Sequence, residues 1–264
     1  MSRILNSSEP EIGAEILCMH DLLKKSAGRA PGATAILAPG RAPLSYSALL
    51  SVVDSTVATL NGLGISRKDR VALVLPNGPE MAAAFLAVAS GAVCAPLNPA
   101  YRATEFEFFL GDLKPRALVT QRGCSDAAIS VAKDLGIPVL EITPSLESGA
   151  GAFRIQADAS VPAPGANFSR PQDVALVLHT SGTTSRPKIV PLTNSALCLS
   201  AQNIGMRLAL NGDDCCLNIM PLFHIHGLIG VTLSSMAVGG SIVCTPGFLA
   251  PQFFDWMRDF RPTW

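Results

Sequence analysis

The stretch His179-Thr180-Ser181-Gly182-Thr183-Thr184-Ser185-Arg186-Pro187-Lys188 concentrates the groups that could grip a polyanion. Gly182 lets backbone amides come close to an anion, and the hydroxyls of Thr180, Ser181, Thr183 and Thr184 can donate to phosphate oxygens. Lys188 adds a point charge. Such a loop suits a triphosphate. It is not the Walker loop, because a single glycine precedes the lysine and Pro187 abuts it. The plain alternative is a Ser/Thr-rich surface turn. A buried strand before the loop, a glycine within it and a lysine after it favour phosphate chemistry.

The element that must position this loop is Val174-Ala175-Leu176-Val177-Leu178, a short apolar run that reads as a buried strand. Open α/β sheets place their ligands at such strand ends. Residues 71 to 142 carry the same strand and helix rhythm. Val71 to Leu75 reads as a strand, Glu80 to Ser90 as an Ala-rich helix stopped by Gly91, and Ala92 to Leu97 as the next strand. Thr104 and Glu107 suit a capping box for a helix bearing Phe106, Phe109 and Leu110. Ala117 to Thr120 and Val139 to Ile142 read as strands flanking a helix from Ser125 to Leu135. The fold class expected is α/β, with parallel βαβ sheets covered by helices.

Residues 143 to 171 break this rhythm and read as a linker or peripheral hairpin. The expected organisation is therefore a first α/β subdomain at 1 to 142, that connection, and a second α/β subdomain at 172 to 264. In the latter, helices are expected near Asn194 to Leu210, Gly227 to Val238 and Phe253 to Phe260. Strands are expected at Cys215 to Met220 and Ser241 to Thr245. Arg261-Pro262-Thr263-Trp264 resembles the approach to a further strand.

Composition narrows the partners. The 264 residues are 48% hydrophobic, enough for a substantial core. The 20 basic and 20 acidic residues cancel, so charge gives no argument for nucleic acid and points to small-molecule partners. Seven scattered cysteines form no disulfide framework and fit a reducing compartment, which places the chain in the cytoplasm, with the peroxisome as the alternative for a eukaryotic full-length form. No charged residue lies between Asp214 and Asp255, yet Pro221, Gly239-Gly240 and Pro246 leave too short a helix to cross a bilayer, which takes about 20 residues.

His224 and His226 follow the strand expected at 215 to 220. Two histidines at that spacing in an apolar segment are more often core or capping residues than catalytic ones. A metal site of Cys215, Cys216, His224 and His226 competes, but adjacent cysteines on a strand point to opposite faces. No G-x-S-x-G elbow supports a hydrolase.

TSGTTSRPK resembles the signature loop of the adenylate-forming acyl-CoA synthetases, the AMP-forming ligases. GAVCAPLNPAYRATEFEFFLGD at 91 to 112 and MPLFHIHGL at 220 to 228 agree with it in order and separation. With Ser185 in place of the family's commoner glycine, the chain is most similar to the oxalate-CoA ligase branch. The resemblance implies an acid-CoA ligase that joins a small carboxylic acid to ATP and then to CoA, with Mg²⁺ accompanying the ATP. It implies that Thr180, Ser181, Gly182, Thr183 and Thr184 hold the phosphates and that Lys188 balances the β- and γ-phosphate charge. It also implies that His224 lies near the reacting carboxylate, with His226 as support.

Ile189 departs from the family, which usually has glycine there. Either that position is extended, or the loop geometry differs, because a β-branched residue tolerates positive φ poorly. The family's later tyrosine-and-glutamate motif, its ribose-binding aspartate and its carboxy-terminal domain with a catalytic lysine find no match. The expectation is a truncated amino-terminal portion, inactive and prone to aggregate alone. The alternative is a non-catalytic nucleotide-binding or interaction module, which tight ATP binding by a stable monomer would support.

Overall fold

A computed structural model describes residues 17–156, 166–180 and 187–264. In chain order its strands are β1 (Thr34–Leu37), β2 (Leu44–Ser45), β3 (Arg70–Val74), β4 (Val93–Pro96), β5 (Ala117–Gln121) and β6 (Val139–Pro144). They continue with β7 (Phe153–Ile155), β8 (Val174–Thr180), β9 (Lys188–Thr193), β10 (Cys215–Asn218) and β11 (Ser241–Cys244). The helices are α1 (Met19–Arg29), α2 (Tyr46–Gly62), α3 (Pro79–Gly91), α4 (Ala103–Leu113), α5 (Asp126–Asp134), α6 (Asn194–Arg207), α7 (Ser234–Val238) and α8 (Ala250–Phe260). A π-helix over His226–Leu233 runs directly into α7.

Two sheets organise these elements. One has seven strands in the order β7-β6-β5-β3-β4-β8-β9, and the other has four in the order β10-β11-β1-β2. Pairing is parallel through β6-β5-β3-β4-β8 and antiparallel at both edges of the larger sheet. Strand pairing runs across the segment expected to separate two subdomains. β8 and β9 complete the sheet that begins with β3, while β1 and β2 join β10 and β11. Residues 143 to 156 supply the end of β6 and the β7 hairpin.

Burial explains the layering. Every residue of α3 from Met81 to Gly91 is buried, because this helix lies between the sheets and contacts β3, β4 and β8 on one side and β11 on the other. A helix apolar all round is stable only in such a place. On the outer face of the seven-stranded sheet, Phe106, Leu110 and Leu113 of α4 and Ala128, Val131 and Ala132 of α5 pack on Ala72, Val74, Ala95 and Leu118. This is the strand alternation of a sheet covered on both faces.

Two expectations are corrected in detail. The first turn of α4 is capped by Glu105, whose carboxylate accepts the Arg102 backbone N–H at 2.9 Å, instead of by a Thr104 and Glu107 box. The helix starts at Ala103, one residue before the expected cap. The helix expected from Gly227 begins as a π-helix. At the carboxyl end, the Leu217 N–H donates to the Trp264 carbonyl at 3.1 Å and the Thr263 N–H to the Cys215 carbonyl at 2.8 Å. The final residues therefore lie along β10, in keeping with the strand approach read from the sequence.

Candidate nucleotide and acyl site

The loop expected to hold phosphate joins β8 to β9, which pair antiparallel. Thr180 and Lys188 oppose each other as the last pair of its ladder, and both are exposed. Ser181, Gly182, Thr183 and Thr184 lie outside the described residues. Alternation along the hairpin sends Leu176, Leu178 and Leu192 to the inner core and Val177 and Ile189 to the α4 and α5 side. Ile189 sits in extended backbone opposite His179. Among the described residues, positive φ outside glycine occurs at Lys114, Ala209 and Arg261, not at Ile189. The first alternative for Ile189 is thus the one observed.

Beside the hairpin tip, at the carboxyl ends of β4 and β8, is a cavity of about 380 Å³. Leu97, Asn98 and Tyr101 line it just after β4, Thr180 and Pro187 at the loop base, and Phe223 and His224 from the segment after β10. The Asn98 side chain accepts the Ala100 N–H at 3.0 Å, which turns the chain so that Tyr101 stacks on Phe109 at 4.9 Å. Burial, aided by Glu105, pushes the Tyr101 hydroxyl above its ordinary pKa, so it stays protonated and able to donate. No lysine or arginine is among the described residues lining the cavity.

The loop carrying His224 is held by a buried polar network. Asn218, 1% exposed, accepts the Met220 N–H at 3.1 Å and donates to the Thr232 hydroxyl at 3.3 Å. Asn77, just after β3, accepts the Leu222 N–H at 2.8 Å and donates to the Thr245 carbonyl at 2.9 Å. The π-helix then leaves the loop, with the Thr232 and Ser234 hydroxyls each donating to a carbonyl five residues back, both at 2.8 Å. These bonds satisfy polar groups in a register that is rare in proteins. Gly227 is required here, because a Cβ would lie 2.5 Å from the Pro221 carbonyl oxygen. His224 itself is exposed on the cavity wall, its ring 4.9 Å from that of Phe223. His226 does not line the cavity; its ring lies over Gly230 in the first turn of the π-helix.

One residue of this cavity escapes a reading by residue type. His179 lines it, with a side chain 7% exposed, its Nε2 3.0 Å from an Asp112 carboxylate oxygen and its ring edge-on to Phe109 at 4.7 Å. The available signal was alternation, which puts His179 on the same face as Val177. Cys215 is half-buried and Cys216 buried, as strand alternation requires. Among the described residues no group of three His, Cys, Asp or Glu side chains could hold a metal.

The sequence profile described as AMP-binding enzyme matches residues 23–264. The chain belongs to this family. Among AMP-binding relatives, it is 39% identical over 259 residues to a probable CoA ligase, CCL9, of Humulus lupulus, covering 95% of this chain and 49% of that protein. It is 36% identical over 252 residues to the oxalate–CoA ligase of Arabidopsis thaliana, covering 93% and 49%. An ATP-bound RpMatB-BxBclM chimera superposes with a TM-score of 0.76 at 25% identity, covering 91% of this chain and 48% of that one. The chain spans about half the length of the curated relatives it matches. Among the described residues no helix is long and apolar enough to cross a membrane.

Proposed function

We propose that the chain is the nucleotide- and acid-binding portion of an AMP-forming acid-CoA ligase, with a small dicarboxylate such as oxalate as the acid. The observation that carries this reading is that Thr180, the ladder partner of Lys188, and His224 line a single cavity. The two curated relatives above, a probable CoA ligase and an oxalate–CoA ligase, support the same reaction class.

In the first half-reaction a carboxylate oxygen attacks the α-phosphorus of ATP and pyrophosphate leaves. Such chemistry needs positioning and charge balance more than bond-making by the protein. Thr180, Ser181, Gly182, Thr183 and Thr184 cradle the phosphates, Lys188 offsets the β- and γ-phosphate charge, and His224 orients the carboxylate. In the second, the CoA thiol displaces AMP. Mg²⁺ would accompany the ATP phosphates, its usual mode, and would offset part of their charge. The chain on its own adenylates poorly, and the protein works in the cytoplasm.

Carboxylate-dependent ATP–pyrophosphate exchange, measured on the protein from its whole reading frame, tests this reading. Exchange with oxalate above other acids is expected. Absence of exchange with every acid tried would sink it.

A further inference from the structure

We propose that His179 is the base that accepts the CoA thiol proton in the second half-reaction, with Asp112 fixing its tautomer; this rests on the ligase reading above. A carboxylate can only accept, so the 3.0 Å contact requires the hydrogen to sit on Nε2. In the neutral ring that leaves Nδ1 with a free lone pair. No partner for Nδ1 occurs among the described residues. The other groups against the ring, Phe108, Phe109 and the ladder partner Ile189, carry no charge.

The surroundings hold this ring in place before any substrate arrives. Phe109 meets it edge-on and is itself held by stacking on Tyr101, so rotation of the imidazole would break the Phe109 contact and the Asp112 hydrogen bond. The ring lines the same cavity as His224, together with Thr180 and Pro187. In the proposed reaction the junction of acyl group and α-phosphate lies between the phosphate loop and His224. The thiol must reach that junction.

A thiol with an ordinary pKa of about 8.5 is only a few per cent thiolate at pH 7, so a positioned base has work to do there. Imidazole is the side chain suited to that pH, and an aspartate behind it is the arrangement that orients such a base. The step balances as follows. The S–H proton passes to Nδ1, sulfur forms a bond to the acyl carbon, the bond from that carbon to the phosphate oxygen breaks, and AMP leaves. Nothing is oxidised or reduced.

The bland alternative is a half-exposed hydrogen bond that merely pins β8 to α4. Single-turnover thiolysis of preformed acyl-adenylate by CoA, followed from pH 6 to 9 on the whole-reading-frame protein beside ATP–pyrophosphate exchange, separates the two. For His179→Gln, thiolysis at pH 7 should fall by about 10²-fold, the gain ordinarily supplied by a general base. Exchange should fall far less, and the thiolysis profile should move towards the thiol's own ionisation near ~8.5. Asp112→Asn, at a helix surface where folding is little at risk, should show the same split with a smaller loss. A parallel fall in both half-reactions, or an unchanged thiolysis profile in both variants, overturns the proposal. Exchange absent from the unmutated protein removes the ligase reading and this assignment together; normal exchange with an unaltered profile removes only this assignment.

Discussion

Asn77 holds the backbone N–H of Leu222 on its side-chain carbonyl at 2.8 Å while its amide reaches the Thr245 carbonyl at 2.9 Å. One side chain at the end of β3 therefore ties the His224 loop and the end of β11 to the larger sheet. Asn77→Leu should lower unfolding free energy by about 1–3 kcal/mol, because it strands a donor and an acceptor. Asn77→Asp keeps the acceptor and should cost less. Urea midpoints in the reverse order would contradict this account.

The π-helix makes a second stability prediction. Thr232→Val removes the hydroxyl that bonds the Gly227 carbonyl and should cost about 1 kcal/mol. Gly227→Ala forces a Cβ against the Pro221 carbonyl, a backbone atom with little freedom to retreat, and should cost about 1–3 kcal/mol as overpacking does. Thermal unfolding should rank Gly227→Ala below Thr232→Val. Should Gly227→Ala melt with the parent, the close approach is not a constraint.

Lys188 and Ile189 are neighbours with opposite roles. Lys188 is exposed at the ladder end, so Lys188→Ala should leave the melting temperature nearly unchanged. On the ligase reading it should also weaken ATP binding by about 10- to 100-fold, the usual worth of a charge-assisted bond of about 1.5–3 kcal/mol. Ile189→Gly restores the family's commoner residue but removes a side chain packed on the outer core cluster. It should destabilise by about 1–3 kcal/mol without tightening ATP binding. Calorimetry and melting on both variants check the pair.

The buried cysteines predict an alkaline response. Burial pushes Cys198 and Cys216 up to about 12, while an unfolded thiol titrates near ~8.5. Both states are protonated below the unfolded value, so the contribution to stability is intact there. Above it the unfolded chain loses protons that the folded chain keeps, and stability falls from about pH 8.5 up to about 12. Denaturation midpoints at pH 7, 9 and 10 should decline, and the slope should flatten in Cys198→Ala and Cys216→Ala. Iodoacetamide at pH 8 should label both thiols only after unfolding.

The strands from 71 to 142 were legible because each is a short apolar run closed by glycine or proline, signals that act locally. β9 was not legible. Lys188–Thr193 contains Pro191, which argues against a central strand, yet β9 is a sheet edge where a missing N–H is tolerated. The π-helix was hidden because its register depends on the hydroxyls of Thr232 and Ser234 reaching back five residues, a pattern apolar periodicity does not report. In the site, Thr180, Lys188 and His224 could be found from residue type and resemblance. His179 could not, since its role in the cavity depends on Asp112, sixty-seven positions earlier in the chain.

The interleaving of the two sheets sets an order of assembly. The larger sheet is complete in sequence once Thr193 exists, and most of its neighbours are joined by short crossovers. The smaller sheet must wait, because β1 pairs with β11 through Ile36 and Ile242, roughly two hundred residues apart. Closing so long a loop is slow, and during synthesis the edge of β1 that faces β11 has no partner until β11 has been made. A ribosome-bound intermediate with one sheet formed and the other open is the natural client for a chaperone.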